Sequence, residues 1–217
     1  MRAARDSRGR SVEAGAAAPD AGARVLAFHK PKGVVVTRSD ERGRRTVYDL
    51  LPGWVRDELW VPVGRLDRDS RGLLLFVREG RLVELLTRGG GLAREYEVWV
   101  RGRVTPAHVA QCLAGVETAA GVMRAERVEV RGGAGPKTRL AVVLREGLNR
   151  EIRRLFGALR DPERGTPLKV TDLRRTRIGP VALDVPSGAW RFLTAAEVEA
   201  LVGEARGARR GAHDSKC

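Results

Sequence analysis

Three short stretches of this sequence hold residue types that can do chemistry. In VGRLDRDSRGLLLFV, residues 63–77, Asp67 and Asp69 stand among Arg65, Arg68 and Arg71. A close guanidinium opposes the pKa rise that burial imposes on a carboxyl group, so such an aspartate stays ionised in a partly dry pocket. An ionised carboxylate serves as a general base or as a nucleophile. In REYEVWV, residues 94–100, Tyr96 is one of only two tyrosines of the chain. Its ring can stack on a nucleobase, an interaction worth about 1–3 kcal/mol. In EGLNREIRRLF, residues 146–156, Arg150, Arg153 and Arg154 offer guanidinium groups to phosphates or to a buried carboxylate. Taken singly, each stretch also has an ordinary reading, as a solvated turn, a cross-strand aromatic and a solvated helix face.

The flanking residues say how these groups are mounted. Leu73 to Val77 read as a buried strand bounded by Gly72, so Asp67 belongs to a loop on a rigid support. Tyr96 lies in an alternating strand, YEVWVRGRV. Arg150, Arg153 and Arg154 sit opposite an apolar helix face of Ile152, Leu155, Phe156 and Leu159. RVLAFHK up to Pro31 and GVVVT after it read as two strands, and TVYDLL as a short helical segment. Gly80 to Thr87 reads as a helix, and Thr105 followed by Pro106 as the capped start of another. VMRAERVEVRG, TRLAVVLRE, LKVTDLRRTRI, VALDV and WRFLT add strands, and a closing helix starts at Thr194. Strands with interspersed helices and no repeating strand-helix-strand rhythm predict an α+β fold with a mixed, mainly antiparallel sheet and flanking helices. Residues 1–23 are expected to be disordered, 24–205 to form the folded domain and 206–217 to be a flexible basic tail.

Composition narrows the partner. Across 217 residues there are 41 Lys and Arg against 27 Asp and Glu, a net charge of +14. That excess predicts a polyanion, with nucleic acid favoured and no membrane partner. Cys112 and Cys217 offer no disulfide framework or metal-ligand spacing, and His29, His108 and His213 are scattered, so no metal is expected. No apolar run reaches membrane-spanning length and no signal-peptide core is present, which leads to the expectation of a cytoplasmic protein.

The order of these motifs resembles one family, the pseudouridine synthases of the RsuA type, which isomerise a chosen uridine of ribosomal RNA. GRLDRDSRGLLLF is similar to the GRLD-x-x-S-x-G-L-L motif of that family, FHKPKGVVVT and TVYDLLP to its opening, and REYEVWV to its second motif. EGLNREIRRLF is similar to the third, and LRRTRIGPVALDVPSGAWRFLT to the terminal signature. The resemblance runs from about Arg24 to Leu201. It implies a two-part catalytic domain with a central cleft, and it implies roles. Asp67 matches the catalytic aspartate, Tyr96 the tyrosine packed on the uracil, and Arg153 the basic residue that pairs with the aspartate. Arg65, Ile152, Lys30, Arg150 and Arg154 are the expected substrate-binding residues. Asp69 matches a variable position. The reaction breaks the bond from uracil N1 to ribose C1′ and joins C5 to C1′ with no net redox change, so no cofactor is needed.

Two departures stand in the third motif, Leu148 where Arg is common and Glu151 where Gln is common; both reduce the local positive charge and bear on which RNA is held. Residues 1–23 are not expected to form the S4-type domain that many relatives carry. The expectation is therefore a short form, a monomer that acts on 23S rather than 16S rRNA, free or in a pre-50S particle. A catalytically silent RNA-binding or ribosome-assembly protein of the same fold is the competing reading. A metal-dependent nuclease would need clustered carboxylates that Asp67 and Asp69 alone do not supply.

Overall fold

A computed structural model describes residues 4–5, 11–12, 25–87 and 91–214, the first two pairs and 209–214 by backbone alone. β1 (Ala4–Arg5) pairs antiparallel with β2 (Ser11–Val12). The remainder of residues 1–23, and with it the expectation of disorder there, lies outside the described residues. β3 (Val25–Lys30) stops at Pro31, which has no N–H to continue a ladder. The second strand expected over GVVVT does not form. Gly33 at φ 84° turns the chain, and only an isolated bridge between Val35 and Thr46 remains. A short 3-10 turn (Val47–Asp49) within the TVYDLL segment leads to α1 (Gly53–Asp57), which begins after Pro52. Then follow β4 (Val61–Pro62), β5 (Arg71–Val77) and α2 (Gly80–Thr87).

β6 (Arg94–Arg101) precedes α3 (Pro106–Ala114), which Thr105 caps by accepting the His108 amide. The single strand expected over VMRAERVEVRG is interrupted. β7 (Val116–Thr118) and β8 (Gly121–Met123) form a hairpin, and the Ala125 amide is drawn to the carbonyl of Cys112 at 2.9 Å before β9 (Arg127–Ala134) starts. β10 (Lys137–Leu144), α4 (Glu151–Gly157), β11 (Lys169–Ile178), β12 (Val181–Ala182) and β13 (Trp190–Phe192) lead to α5 (Ala195–Asp214). The residues expected to be a flexible tail from 206 are helical as far as Asp214. Over the whole of α5 the alanines, glutamates and arginines favour helix, and no proline ends it.

The chain divides into two compact units, Met1–Leu92 with Arg177–Cys217, and Ala93–Thr176. The fold is α+β, as expected. In the first unit, β3 pairs antiparallel with β5 on one side and β13 on the other. Both faces of this sheet are covered. Ala27, Leu73, Leu75 and Val77 meet Leu86 of α2 and Leu201 and Ala205 of α5. Leu26, Phe28, Leu74 and Phe76 meet Tyr48, Val55, Trp60 and Trp190. Two buried faces explain why LLLFV is unbroken by polar residues. In the second unit, β10 pairs antiparallel with β6 and β9. Here one face, with Val98, Val100, Leu140 and Val142, is buried, while Arg127, Lys137 and Arg139 on the other strands' alternate positions are exposed.

Candidate active site

In the first unit, the Asp67 loop is fixed from below by one side chain. Lys30 ends β3 with no exposure at all. Its ammonium donates to the carbonyl oxygens of Ser70 at 2.8 Å, Pro31 at 3.0 Å, Asp67 at 3.1 Å and Arg68 at 3.5 Å. The Gly33 amide donates to the Arg68 carbonyl at 2.8 Å, and the Ser70 amide to that of Asp67 at 3.0 Å. The Lys-Pro-Lys-Gly turn and the GRLDRDS loop are thus stitched together through backbone carbonyls. Gly64 at φ 73° supplies the left-handed turn into the loop, and Val63 and Leu66 bury themselves on either side of Arg65. Arg65 and Asp69 are exposed, and Asp67 is half-buried. Lys30 differs from the expected substrate contact. A fully buried ammonium spent on four carbonyls is unavailable to a ligand, and its task is to hold the loop that carries Asp67.

In the second unit, Arg94 and Tyr96 point to the same buried face of β6, at 8% and 9% exposure. Arg94 donates to the carbonyl of Arg145 at 3.0 Å. Burial pushes its pKa down from the ordinary arginine value. Tyr96 and Glu151 lie near enough to oppose that fall, and Arg175 near enough to add to it. Arg153 is half-buried and donates to the carbonyl of Val170 at 3.0 Å. Arg150 and Arg154 are exposed. Ile152, expected among the substrate-binding residues, is 3% exposed and joins the buried face of α4 with Leu155 and Phe156.

Glu151 is the residue in this region whose part the sequence conceals. It is 4% exposed, and burial raises its carboxyl to about 7; the Leu148 amide pulls the value down, Glu146 pushes it up and Arg94 pulls it down. Arg94 was findable by counting two back from Tyr96 along an alternating strand. The burial of Glu151, Arg94 and Arg175 (2% exposed) was not, because charged residues in a sequence read as surface. Among the described residues no group of three or more His, Cys, Asp or Glu side chains is placed to hold a metal ion. No helix among them is long and apolar enough to cross a membrane. Cys112 is buried, and its thiol is pushed up to about 11, which keeps it protonated and unreactive. The first unit thus offers a carboxylate on a stitched loop, and the second a buried tyrosine beside the Arg94 guanidinium. A carboxylate suits chemistry at a sugar carbon, and a tyrosine ring suits packing on a planar base.

Comparisons with known proteins agree. A family model described as RNA pseudouridylate synthase matches residues 24–158. The protein named "Ribosomal large subunit pseudouridine synthase B" from Vibrio cholerae is 42% identical over 181 residues, 82% of this chain and 54% of that protein. Its namesake from Escherichia coli K12 is 38% identical over 181 residues, 82% of this chain and 60% of that protein. The chain therefore spans little more than half the length of these relatives. The solved "Crystal structure of pseudouridylate synthase" superposes with a TM-score of 0.69 at 25% identity, over 82% of this chain and 73% of that one. "Structure of H/ACA RNP bound to a substrate RNA containing 2'-deoxyuridine" shares the fold, with a TM-score of 0.52 at 20% identity over 73% of this chain and 48% of that one. These relatives correct the RsuA-type assignment. Both of these sequence relatives carry the large-subunit synthase B name. Motifs such as GRLD mount chemistry common to the whole family, and so do not separate its branches.

Proposed function

The chain belongs to the RNA pseudouridylate synthase family, and on that premise we propose that it isomerises one uridine of large-subunit, 23S rRNA to pseudouridine. The relatives' printed name supports the large-subunit assignment, and a cytoplasmic place of work beside assembling ribosomes goes with it. The observation that carries the reading is the Asp67 loop, held by the buried Lys30 ammonium through four carbonyl oxygens. A carboxylate held on a rigid loop can meet a sugar carbon in a fixed orientation, which is where enzymes gain most from positioning.

In this reading the target uridine leaves its stack, at a cost of a few kcal/mol, and the ring of Tyr96 and contacts to phosphates offset that cost. Asp67 then attacks C1′ as a nucleophile or removes the C2′ proton as a base. The N1–C1′ bond breaks, the uracil turns, and C5 bonds to C1′. As C5 joins C1′, the Asp67–C1′ bond breaks on the nucleophilic route or C2′ recovers its proton on the base route. C5 then loses its proton and N1 gains one, so the product is an isomer and no co-reactant is needed. Arg153 supplies positive charge for the carboxylate chemistry, while Arg65, Arg150 and Arg154 hold the RNA backbone. A silent RNA-binding protein would have no use for the carboxylate at 67. Asp67→Asn is expected to lower the rate of pseudouridine formation on a 23S rRNA transcript by about 10³-fold or more. Its melting temperature and RNA affinity should stay near those of the parent protein. Normal turnover by that variant would refute the catalytic assignment.

A further inference from the structure

Between the end of β10 and the start of α4, residues 145–150 form a loop that two buried side chains hold from beneath. The Arg94 guanidinium takes the Arg145 carbonyl at 3.0 Å. It also underlies Gly147, where a Cβ would come within 3.8 Å of its Nη1. Glu151 takes the other end. Its Oε2 accepts the Leu148 amide at 3.2 Å, and its own amide donates to the Leu148 carbonyl at 3.3 Å. Between the two anchors Arg150 stands at φ 53°, ψ 30°, a left-handed conformation that a side chain with a Cβ adopts only under constraint. The constraint turns Arg150 outward, where it is exposed.

The second oxygen of Glu151 is buried and has no hydrogen-bond partner among the described residues. A purely structural clasp has no need of that cost, since the carbonyl of a glutamine accepts the same amide without bringing a charge. We propose that Glu151 is a positioning residue: its buried carboxyl fixes the left-handed Arg150 and tunes the net charge of the loop that Arg150 offers to RNA phosphates. The inference rests on the proposed reaction and adds to it a control of RNA grip within the second unit. The charged groups that face Glu151 are Arg94 from β6 and Glu146 from the loop, with Tyr96 and Arg175 next to Arg94. Because burial holds the Glu151 carboxyl near neutrality, it is neutral in mild acid and ionised in mild base. Ionisation subtracts one positive charge from the loop and weakens its hold on phosphate.

Steady-state kinetics on a 23S rRNA transcript, from about pH 6 to about pH 8, test this on the parent protein, Glu151→Gln and Glu151→Ala. The parent KM should rise about threefold across that range, because one charge of the several that contact phosphate is lost. Glu151→Gln should hold the parent's low-pH KM throughout, with a flat profile. Glu151→Ala should raise KM about tenfold at every pH while kcat stays within about twofold, since Arg153 keeps its own bond to the Val170 carbonyl. Parallel profiles for the parent and Glu151→Gln would overturn the proposal, and so would a parent-like KM in folded Glu151→Ala. If Glu151→Ala fails to fold, the Glu151→Gln comparison decides alone. If the parent makes no pseudouridine, the catalytic reading fails separately, and filter-binding affinities of the same proteins decide this one on the same pH pattern.

Discussion

Two loops carry Asp67 and Arg150, and each is held from beneath by a buried charged group, a cation under the first and a carboxyl under the second. Under the Asp67 loop, the ammonium of Lys30 has three protons and spends them on four carbonyl oxygens at 2.8–3.5 Å. Under the 145–150 loop, the carboxyl of Glu151 spends one oxygen on the Leu148 amide and leaves the other bare. A buried ion whose hydrogen-bonding capacity is taken up by backbone has no cheap alternative state, and the loop above it is rigid. A buried ion with half its capacity unused sits close to its neutral form and answers to pH. Asp67, proposed to act on the sugar, stands over the first kind of support, and Arg150, proposed to grip RNA, over the second.

The hardest way to break this contrast is to remove the satisfied ion. Lys30→Met keeps most of the stem and takes the ammonium donor from the carbonyls of Ser70 and Pro31, while the Asp67 carbonyl keeps only the Ser70 amide. Each such group costs about 1–3 kcal/mol, so a loss of roughly 3 kcal/mol or more is expected. Urea denaturation reads that loss, and pseudouridine formation should fall at least about 100-fold in whatever protein remains folded. Unchanged stability would show that the ammonium is incidental to the loop.

A smaller effect separates the two supports by pH. The folded carboxyl of Glu151 lies at about 7, above its ordinary value of 4.5. The folded state therefore holds a proton there that the unfolded chain releases. Its contribution is fully present below about pH 4.5 and is lost as pH rises through about 7, a change on the order of 2–3 kcal/mol. Glu197 in the first unit behaves in the opposite sense. Arg191, bonded to it at 2.7 Å, holds its carboxyl at about 2, so its contribution is present above 4.5 and lost only as pH falls through about 2. Of these two contributions, only that of Glu151 moves between pH 5 and 8. Denaturation midpoints should fall across that interval in the parent protein and stay level in Glu151→Gln. A fall of equal size in the variant would place the titrating group elsewhere.

These supports also mark where the sequence stops being readable. Strand β5, the helix cap at Thr105 and the loop setting of Asp67 follow from periodicity and turn chemistry, which act over a few residues. The extra helical length of α5 follows from propensity that outweighs a basic, Gly-containing composition. The part played by Lys30 does not follow, because its four acceptors come from two segments almost forty residues apart in sequence. Nothing local distinguishes it from the exposed Lys32 two positions later. GVVVT shows the converse failure. Three consecutive valines look like a strand, yet the turn at Gly33 that stitches the Asp67 loop takes the backbone out of any ladder. Glu151 was visible as a departure from the family pattern, but its burial depends on the Leu148 turn folding back over it.

The finest test compares arginines that are already answered with those that are not. Along β6, β9 and β10, Arg127 pairs with Glu95, Arg131 with Glu129, and Arg139 with Glu97, and Arg145 after β10 pairs with Glu126. Such partly exposed pairs contribute about 0–1 kcal/mol each, and a carboxylate at contact distance cancels most of the field that a phosphate would feel. The net charge of +14 thus overstates what this sheet face offers RNA. Arg154, exposed on α4, makes no ion pair among the described residues. Arg139→Ala should change affinity for a 23S rRNA transcript less than about twofold, and Arg154→Ala should weaken it about threefold to tenfold and flatten its salt dependence by close to one counterion. Equal losses for the two variants would mean that the ion pairs open when RNA arrives, so that the sheet face and the α4 loop grip it alike.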